Sequence, residues 1–482
     1  MTTPPLWTVA PMAEAMRAER RNTLPASVTG ISIDSRTIGP GEAFFAIAGD
    51  RHDGHAFVAA ALDKGAGLAV VAADKLAGLP ADAPLLVVAD VLEGLRDLAR
   101  AARARSTAKI AAITGSVGKT STKEALRLAL RADGETHAST ASFNNHWGVP
   151  LSLARMPETA RYGVFEIGMN HAGEITPLTR LVRPHVAVVT AVEPVHLEFF
   201  NGLDGIADAK AEIFLGIEPG GAAVINRDNP YFARLKRRAT QAGIGTVIGF
   251  GEHARAQARL IRCVPQPDGS MVEADILGAR VDYRIGAPGR HFVLNSLAVL
   301  AATSLLGGDL ALGALALAQQ TPPPGRGVRT PIDVPGGTAL LIDESYNANP
   351  TSMRAALALL ADTPLGPRGR RIAVLGDMLE LGPAGADLHR ELAAPIATHA
   401  IDLVFCAGPL MAALWEALPA ERRGAYAPTA EDLEAELAGA LRGGDAVMVK
   451  GSHGSRMGPI VKSLVRRYSP QGKARDGIPA QG

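Results

Sequence analysis

The sequence is short of several things, and each shortage removes a class of protein. It has two cysteines in 482 residues, Cys263 and Cys406. They are too few for a disulfide framework and too isolated for a thiolate-rich zinc site, which points to reduced thiols. Charge of one sign is missing as well. The 49 Lys and Arg stand against 48 Asp and Glu, a formal net charge of +1, so no bulk field draws the chain to nucleic acid or an anionic bilayer. The N-terminal stretch MTTPPLWTVAPMAEAM lacks the basic region and apolar core of a secretory signal. No uninterrupted apolar run is long enough to span a membrane. The Ala- and Leu-rich stretch 297–318 comes nearest, and Asp309 and three glycines within it predict a buried helix instead. These absences predict a soluble, cytoplasmic protein without nucleic acid or membrane insertion among its partners, and a monomer is expected.

What is present is ordinary globular composition, 47% hydrophobic and 20% charged. The length is too great for one hydrophobic core, so two or three domains are expected. Residues 1–88 alternate short apolar runs with turns (GISIDSR, EAFFAIAG, GLAVVAAD, PLLVVAD), which read as strands, with a helical pattern over 55–64. Residues 91–105 have helical apolar spacing and lead into a second block, 89–322. It opens with KIAAIT, a glycine-rich turn and a helix, and continues through GVFEI, HVAVVT, AAVIN and GTVIGF. Helical stretches separate most of these runs, the signature of a largely parallel sheet wrapped by helices. PPPGRG at 322–327 is the strongest linker. After it, in 323–482, TALLID, RIAVLG, DLVFCAG and DAVMVKG restart the pattern as a smaller, Rossmann-like doubly wound domain. The tail after 469 reads as disordered. The fold class is therefore α/β, in three domains.

Polar motifs sit directly after the strand candidates, at 114–122, 166–170, 226–228, 343–349, 376–380 and 450–457. Ligands bind beyond the carboxyl ends of strands in open α/β sheets, so two such domains facing each other make a cleft lined by these motifs. The most informative is ITGSVGKTSTK at 113–123, between a strand and a helix. Gly115, Ser116, Val117 and Gly118 turn backbone N–H groups inward to cradle phosphate, Lys119 supplies charge, and Thr120 or Ser121 offers a hydroxyl to Mg²⁺. The spacing is GxxGK(S/T), two residues shorter than the usual phosphate loop. A glycine turn with a surface lysine would be the bland alternative, and the strand–loop–helix context argues for an ATP site.

The compressed loop resembles that of the Mur ligase family, and the rest of the chain extends the likeness. The resemblance implies an acidic metal-binding residue at the end of a later strand, matched by Glu166 in EIGMN. It implies a metal-holding histidine after a further strand, matched by His196 in VEPVHLEFF, and an often carbamylated lysine before an acidic residue, matched by Lys210 in AKAEIF. Taken singly, these three read as a strand-end acid, a surface histidine and a solvated lysine; their conjunction with the loop carries the assignment. PGRHFVLNSLAVLAA resembles the segment that places His291 and Asn295 near adenine. Arg326, in GRG at the linker, matches an arginine near the ATP phosphates. IDESYNANP resembles the start of the family's third domain, which implies that Asp343, Tyr346 and Asn347 reach back to the nucleotide.

Within the family, DESYNANPTSM, LGDMLELG, KGSHGSRM and SFNNHWGVPLSL resemble the branch that adds D-alanyl-D-alanine to UDP-N-acetylmuramoyl-tripeptide. That implies ATP and two Mg²⁺ sites as cofactors, those two substrates as partners, and substrate contacts from Asn144, Asn145 and Lys450. His453 stands where the motif has arginine. DSRTIGPGEAFFAIAGDRHDGHAFV resembles the uridine-nucleotide domain and implies contacts from Ser35 and Arg36, which alone would read as a cap and a surface arginine. Catalysis would fall to Lys119, Glu166, His196 and Lys210.

Overall fold

The computed structural model describes residues 5–49, 52–140, 142–195 and 197–469. Its three larger sheets follow one another along the chain. The first has five strands in the order Glu19–Arg21, Leu85–Val88, Leu68–Ala72, Ala43–Phe45, Ile31–Ser32, parallel except at the Glu19–Arg21 edge. The helix Val91–Arg105 forms as its spacing predicts, with Asp90 capping it by accepting from the Glu93 N–H. Leu95 and Leu98 enter the core of this first sheet, while Ala99 enters that of the next. One amphipathic helix thus ties the two units together, helped by the Trp7 indole donating to the Ala154 carbonyl at 2.9 Å.

The central sheet has nine strands. In its middle, Lys109–Thr114 lies between Tyr162–Glu166 and Val186–Val189, all parallel. Ala111 and Ile113 face one core and Ile110 and Ala112 the other. A strand covered on both faces needs apolar residues at every position, which is why KIAAIT has no alternation. Ala222–Asn226 and Thr246–Gly251 extend the parallel run on one side, and Thr136–Ala138 ends it on the other.

Two features of this unit depart from the sequence-based expectation. Ala258–Gln266, Gly269–Ile276 and Ala279–Ile285 form an antiparallel meander at the sheet edge, which the apolar runs did not reveal. In Ala279–Ile285 only Tyr283 and Ile285 are buried, while Arg280 and Asp282 face solvent. A strand covered on one face carries half the apolar signal. The stretch 297–318 is also not one helix. The helix Arg290–Leu305 ends, Gly307 turns at φ +75°, and Leu310–Ala316 starts afresh with Asp309 accepting from the Ala311 and Leu312 N–H groups. Among the described residues no helix is long and apolar enough to cross a membrane.

The third sheet runs Val328–Val334, Gly337–Glu344, Ala446–Lys450, Arg371–Gly376, Leu403–Ala407, Arg423–Ala427, parallel after the opening hairpin. Ala430–Ala440 and Met457–Arg467 cover one face, and Pro350–Ala361 and Ala393–Thr398 the other, so it is doubly wound as expected. The linker 322–327 is clamped onto this sheet: Gly327 N–H donates to the Asp343 carbonyl at 2.7 Å and Tyr346 N–H to the Gly325 carbonyl at 3.1 Å. The tail beyond 469 lies outside the described residues.

Candidate active site

The carboxyl ends of the three middle strands converge on the phosphate loop. Lys109–Thr114 delivers it, and the helix Lys119–Arg131 carries it away. Gly115 and Gly118 hold φ of +152° and +82°. A Cβ on Gly115 would lie 1.9 Å from the Thr190 hydroxyl, and one on Gly118 would lie 2.8 Å from the Asn295 amide nitrogen. Only glycine fits either position. Lys119 Nζ donates to the Gly115 carbonyl at 2.8 Å. Burial lowers its pKa, with the Glu166 carboxylate opposing the shift and the Arg326 charge adding to it. Free N–H groups at this helix start and the Lys119 charge together suit an anion.

Glu166 ends its strand beside the loop and is buried. It accepts from the Thr120 hydroxyl at 2.9 Å and from the Asn144 amide at 2.7 Å. Ser121 Oγ instead donates to the Gly118 carbonyl at 3.1 Å. Lys210, on the helix Gly202–Ala211, is buried, and its Nζ has no hydrogen-bond or ion-pair partner among the described residues. Desolvation, and secondly the charge of Lys119, push its pKa well below the usual lysine range. His196, expected beside them, lies outside the described residues.

The third domain closes the other side. A cavity of about 250 Å³ is bounded by the phosphate loop, His291 and Asn295 on one wall and by Arg326, Asn347 and Lys450 on the other. A second, of about 360 Å³, shares Ser116, Lys119, Arg326 and Asn347 with the first and adds Glu166, Asn144, Tyr346 and His453. The Arg326 guanidinium lies 4.2 Å from the centre of the Tyr346 ring, and the Tyr346 hydroxyl donates to Ser142 Oγ of the central unit at 2.7 Å. Buried Lys450 donates to the Asn347 carbonyl at 3.0 Å and pairs with Glu344 at 3.3 Å, holding that loop in place. Beyond Asn144, Gly168, Met169 and Asn170 the second cavity continues into a groove of about 1290 Å³, edged by Asn145, Arg96, Arg100 and Arg180.

Not every expected residue joins this cluster. Ser35 and Arg36 border none of the three cavities; Arg36 is exposed and paired with Asp34 at 2.7 Å. Asp343 likewise borders none, and its carboxylate accepts from Ser345 N–H and Oγ, fixing the turn that carries Tyr346. Asn145 lines the groove, with its side chain accepting from the Gly148 N–H. Conversely, Thr190, Glu193, Glu344 and Thr351 were not singled out from the sequence. Thr190, Glu193 and Glu344 obey the same strand-end rule that found Glu166, and Thr351 lies inside the NANPTSM run.

Models of known families match most of this architecture: the Mur ligase family catalytic domain over residues 27–103, the Mur ligase middle domain over 113–303, and the Mur ligase glutamate ligase domain over 333–453. The UDP-N-acetylmuramoyl-tripeptide–D-alanyl-D-alanine ligase of Rickettsia prowazekii is 32% identical over 95% of this chain and 99% of its own. That of Escherichia coli is 33% identical over 91% and 94%. The crystal structure of MurF from Acinetobacter baumannii superposes with a TM-score of 0.82 at 29% identity, covering 97% of this chain and 100% of its own. The chain belongs to the Mur ligase family.

Proposed function

We propose that this chain is an ATP-dependent ligase that joins D-alanyl-D-alanine to UDP-N-acetylmuramoyl-tripeptide, giving the pentapeptide precursor of peptidoglycan. The observation that carries the reading is the meeting, across two adjoining cavities, of the phosphate loop and Glu166 with Arg326, Tyr346 and Asn347 of the third domain. We divide the work among residues 1–88 for the uridine end, 89–322 for ATP, and 323–482 for the acceptor. We take the working unit to be a monomer. Two reduced cysteines and the lack of a spanning helix among the described residues suit the cytoplasm.

A carboxylate is a poor electrophile. The terminal carboxylate of the tripeptide therefore takes the γ-phosphoryl group of ATP, releasing ADP and leaving an acyl phosphate. The amine of D-alanyl-D-alanine then attacks the carbonyl carbon, phosphate departs, and the nitrogen gives up its proton. The loop N–H groups, Lys119 and Arg326 stabilise charge on the transferring group, so catalysis is largely electrostatic and positional. His291, Asn295 and Asn347 hold the adenine side of the smaller cavity, and Lys450 sets Asn347. Asp343 acts indirectly, through the turn that presents Tyr346. Asn144 and Asn145 line the route of the tripeptide, whose diphosphate and carboxylates suit a groove edged by arginines. Ser35 and Arg36 take the uridine end.

The donor set also suits Mg²⁺, which prefers oxygen and needs few protein carboxylates when phosphates supply the rest. Thr120, Ser121, Glu166, His196 and a carbamate on Lys210 would hold it at two sites, where it neutralises phosphoryl charge. An amine that burial keeps neutral, with no partner among the described residues, suits carbamylation.

Incubation with ATP, Mg²⁺, the tripeptide and the dipeptide tests the reading by phosphate release and nucleotide mass. Release that needs both substrates, with a mass gain of one dipeptide less water, is expected. Phosphate without pentapeptide counts against it. Lys119→Ala is expected to lose ligation by at least about a hundredfold with an unchanged melting temperature, and normal turnover by that variant would sink the assignment.

A further inference from the structure

We propose that Glu193 is a positioning residue that transmits occupancy of the phosphate loop to docking of the third domain. The inference rests on the ligase reading above and adds to it a coupling between two sites. Glu193 lies in the segment 190–195, which leaves the strand Val186–Val189 and is bound to the phosphate loop through Thr190, Ala191 and Glu193. Ser116 N–H donates to the Ala191 carbonyl at 2.8 Å. Ser116 Oγ donates to the Glu193 carbonyl and accepts from the Glu193 N–H, both at 2.9 Å. One hydroxyl thus grips both backbone groups of a single residue. Thr190 Oγ1 donates to the Val117 carbonyl at 2.5 Å, and Asn229 holds the Val192 carbonyl from behind at 3.0 Å.

The side chain of Glu193 points the other way. Its Oε2 accepts from the Thr351 hydroxyl, 2.7 Å away in the first turn of the helix Pro350–Ala361 of the third domain. That helix is already capped: Asn349 accepts from the Ser352 N–H, and Ser352 Oγ accepts from the Asn349 N–H. The Thr351 hydroxyl is therefore not needed as a cap. A carboxylate here suits the positive end of the helix dipole, and its charge strengthens the hydrogen bond. Ser116 and Lys119 sit on adjoining turns of one loop, so movement there to accept phosphate shifts the Glu193 backbone, and with it the carboxylate that meets Thr351.

Loose docking admits water to the acyl phosphate, which then yields phosphate without amide. The readout is phosphate released per pentapeptide formed, with both substrates present. Thr351→Val is expected to raise that ratio about tenfold, the scale of one charge-assisted hydrogen bond, and Thr351→Ser to restore it. Glu193→Ala should match Thr351→Val, and the double variant should be no worse than either alone. Both side chains are half-buried, so truncation leaves the cores intact, and the backbone grip of Ser116 survives in each. An unchanged ratio in Thr351→Val, or effects of the two substitutions that multiply, overturns the coupling while the ligase reading stands. A wild-type protein that makes no pentapeptide overturns both.

Discussion

A lysine at 2% exposure, with no acceptor for its amine among the described residues, is a poor place for a positive charge. Desolvation favours the neutral form of Lys210, so it stays unprotonated at lower pH than an ordinary lysine. Only the neutral amine attacks carbon dioxide, forming a nitrogen–carbon bond and losing a proton, which turns a cation into an anion. With isotope-labelled bicarbonate, the native protein is expected to show a carbamate carbonyl signal by NMR, and Lys210→Arg none. A native protein without that signal removes the carbamate from the proposed metal site. Lys210 was singled out in the sequence by its order after the loop in the family motif, and the structure buries it within electrostatic reach of Lys119. The Thr351–Glu193 contact was not, because it joins residues 158 apart that are unremarkable in type and meet only when two sheets are assembled.

At the scale of elements, strand ends gather the chemistry and strand edges report on solvent. His137 sits in the edge strand Thr136–Ala138, its Nε2 2.7 Å from the Ser152 carbonyl and its ring beside Phe165. Burial pushes its pKa down to about 4. An unfolded chain takes up that proton near 6.5 and the folded one only near 4. The stability His137 contributes is therefore whole above 6.5 and is lost as pH falls from there toward 4. His137→Gln keeps a donor for Ser152 without the titration. Its melting temperature is expected to fall less than that of the native protein between about pH 7 and pH 5. Equal slopes would remove His137 from the acid sensitivity. The inner parallel strands of the second and third sheets were readable as apolar runs because both faces are covered, whereas the less buried edge strands Thr136–Ala138 and Arg423–Ala427 were not. The edge meander and the break at Gly307 were not: the first alternates buried and charged residues, and the second hides in a composition that stays apolar across the turn.

The described residues build three large sheets, and polar ties join the second to the third. These include the Tyr346 hydroxyl to Ser142, Thr351 to Glu193, and Arg329 to the Pro267 carbonyl at 2.8 Å. Separate cores joined by a short linker and polar contacts favour relative motion. The division into three units was legible from the restart of the strand pattern after 322–327, whereas the closed arrangement depends on pairs no periodicity encodes. Arg326 lies in that linker, and in the closed arrangement its side chain is packed over Tyr346 and faces both cavities. Trypsin cleaves after arginine in exposed connecting segments, so the Arg326–Gly327 bond is a protease target whose accessibility follows the cleft. Limited digestion is expected to cut there more slowly once ATP and the tripeptide are added; a rate indifferent to both would mean that closure leaves Arg326 equally open. The residue proposed to neutralise phosphate thereby also sets where, and when, the chain can be severed.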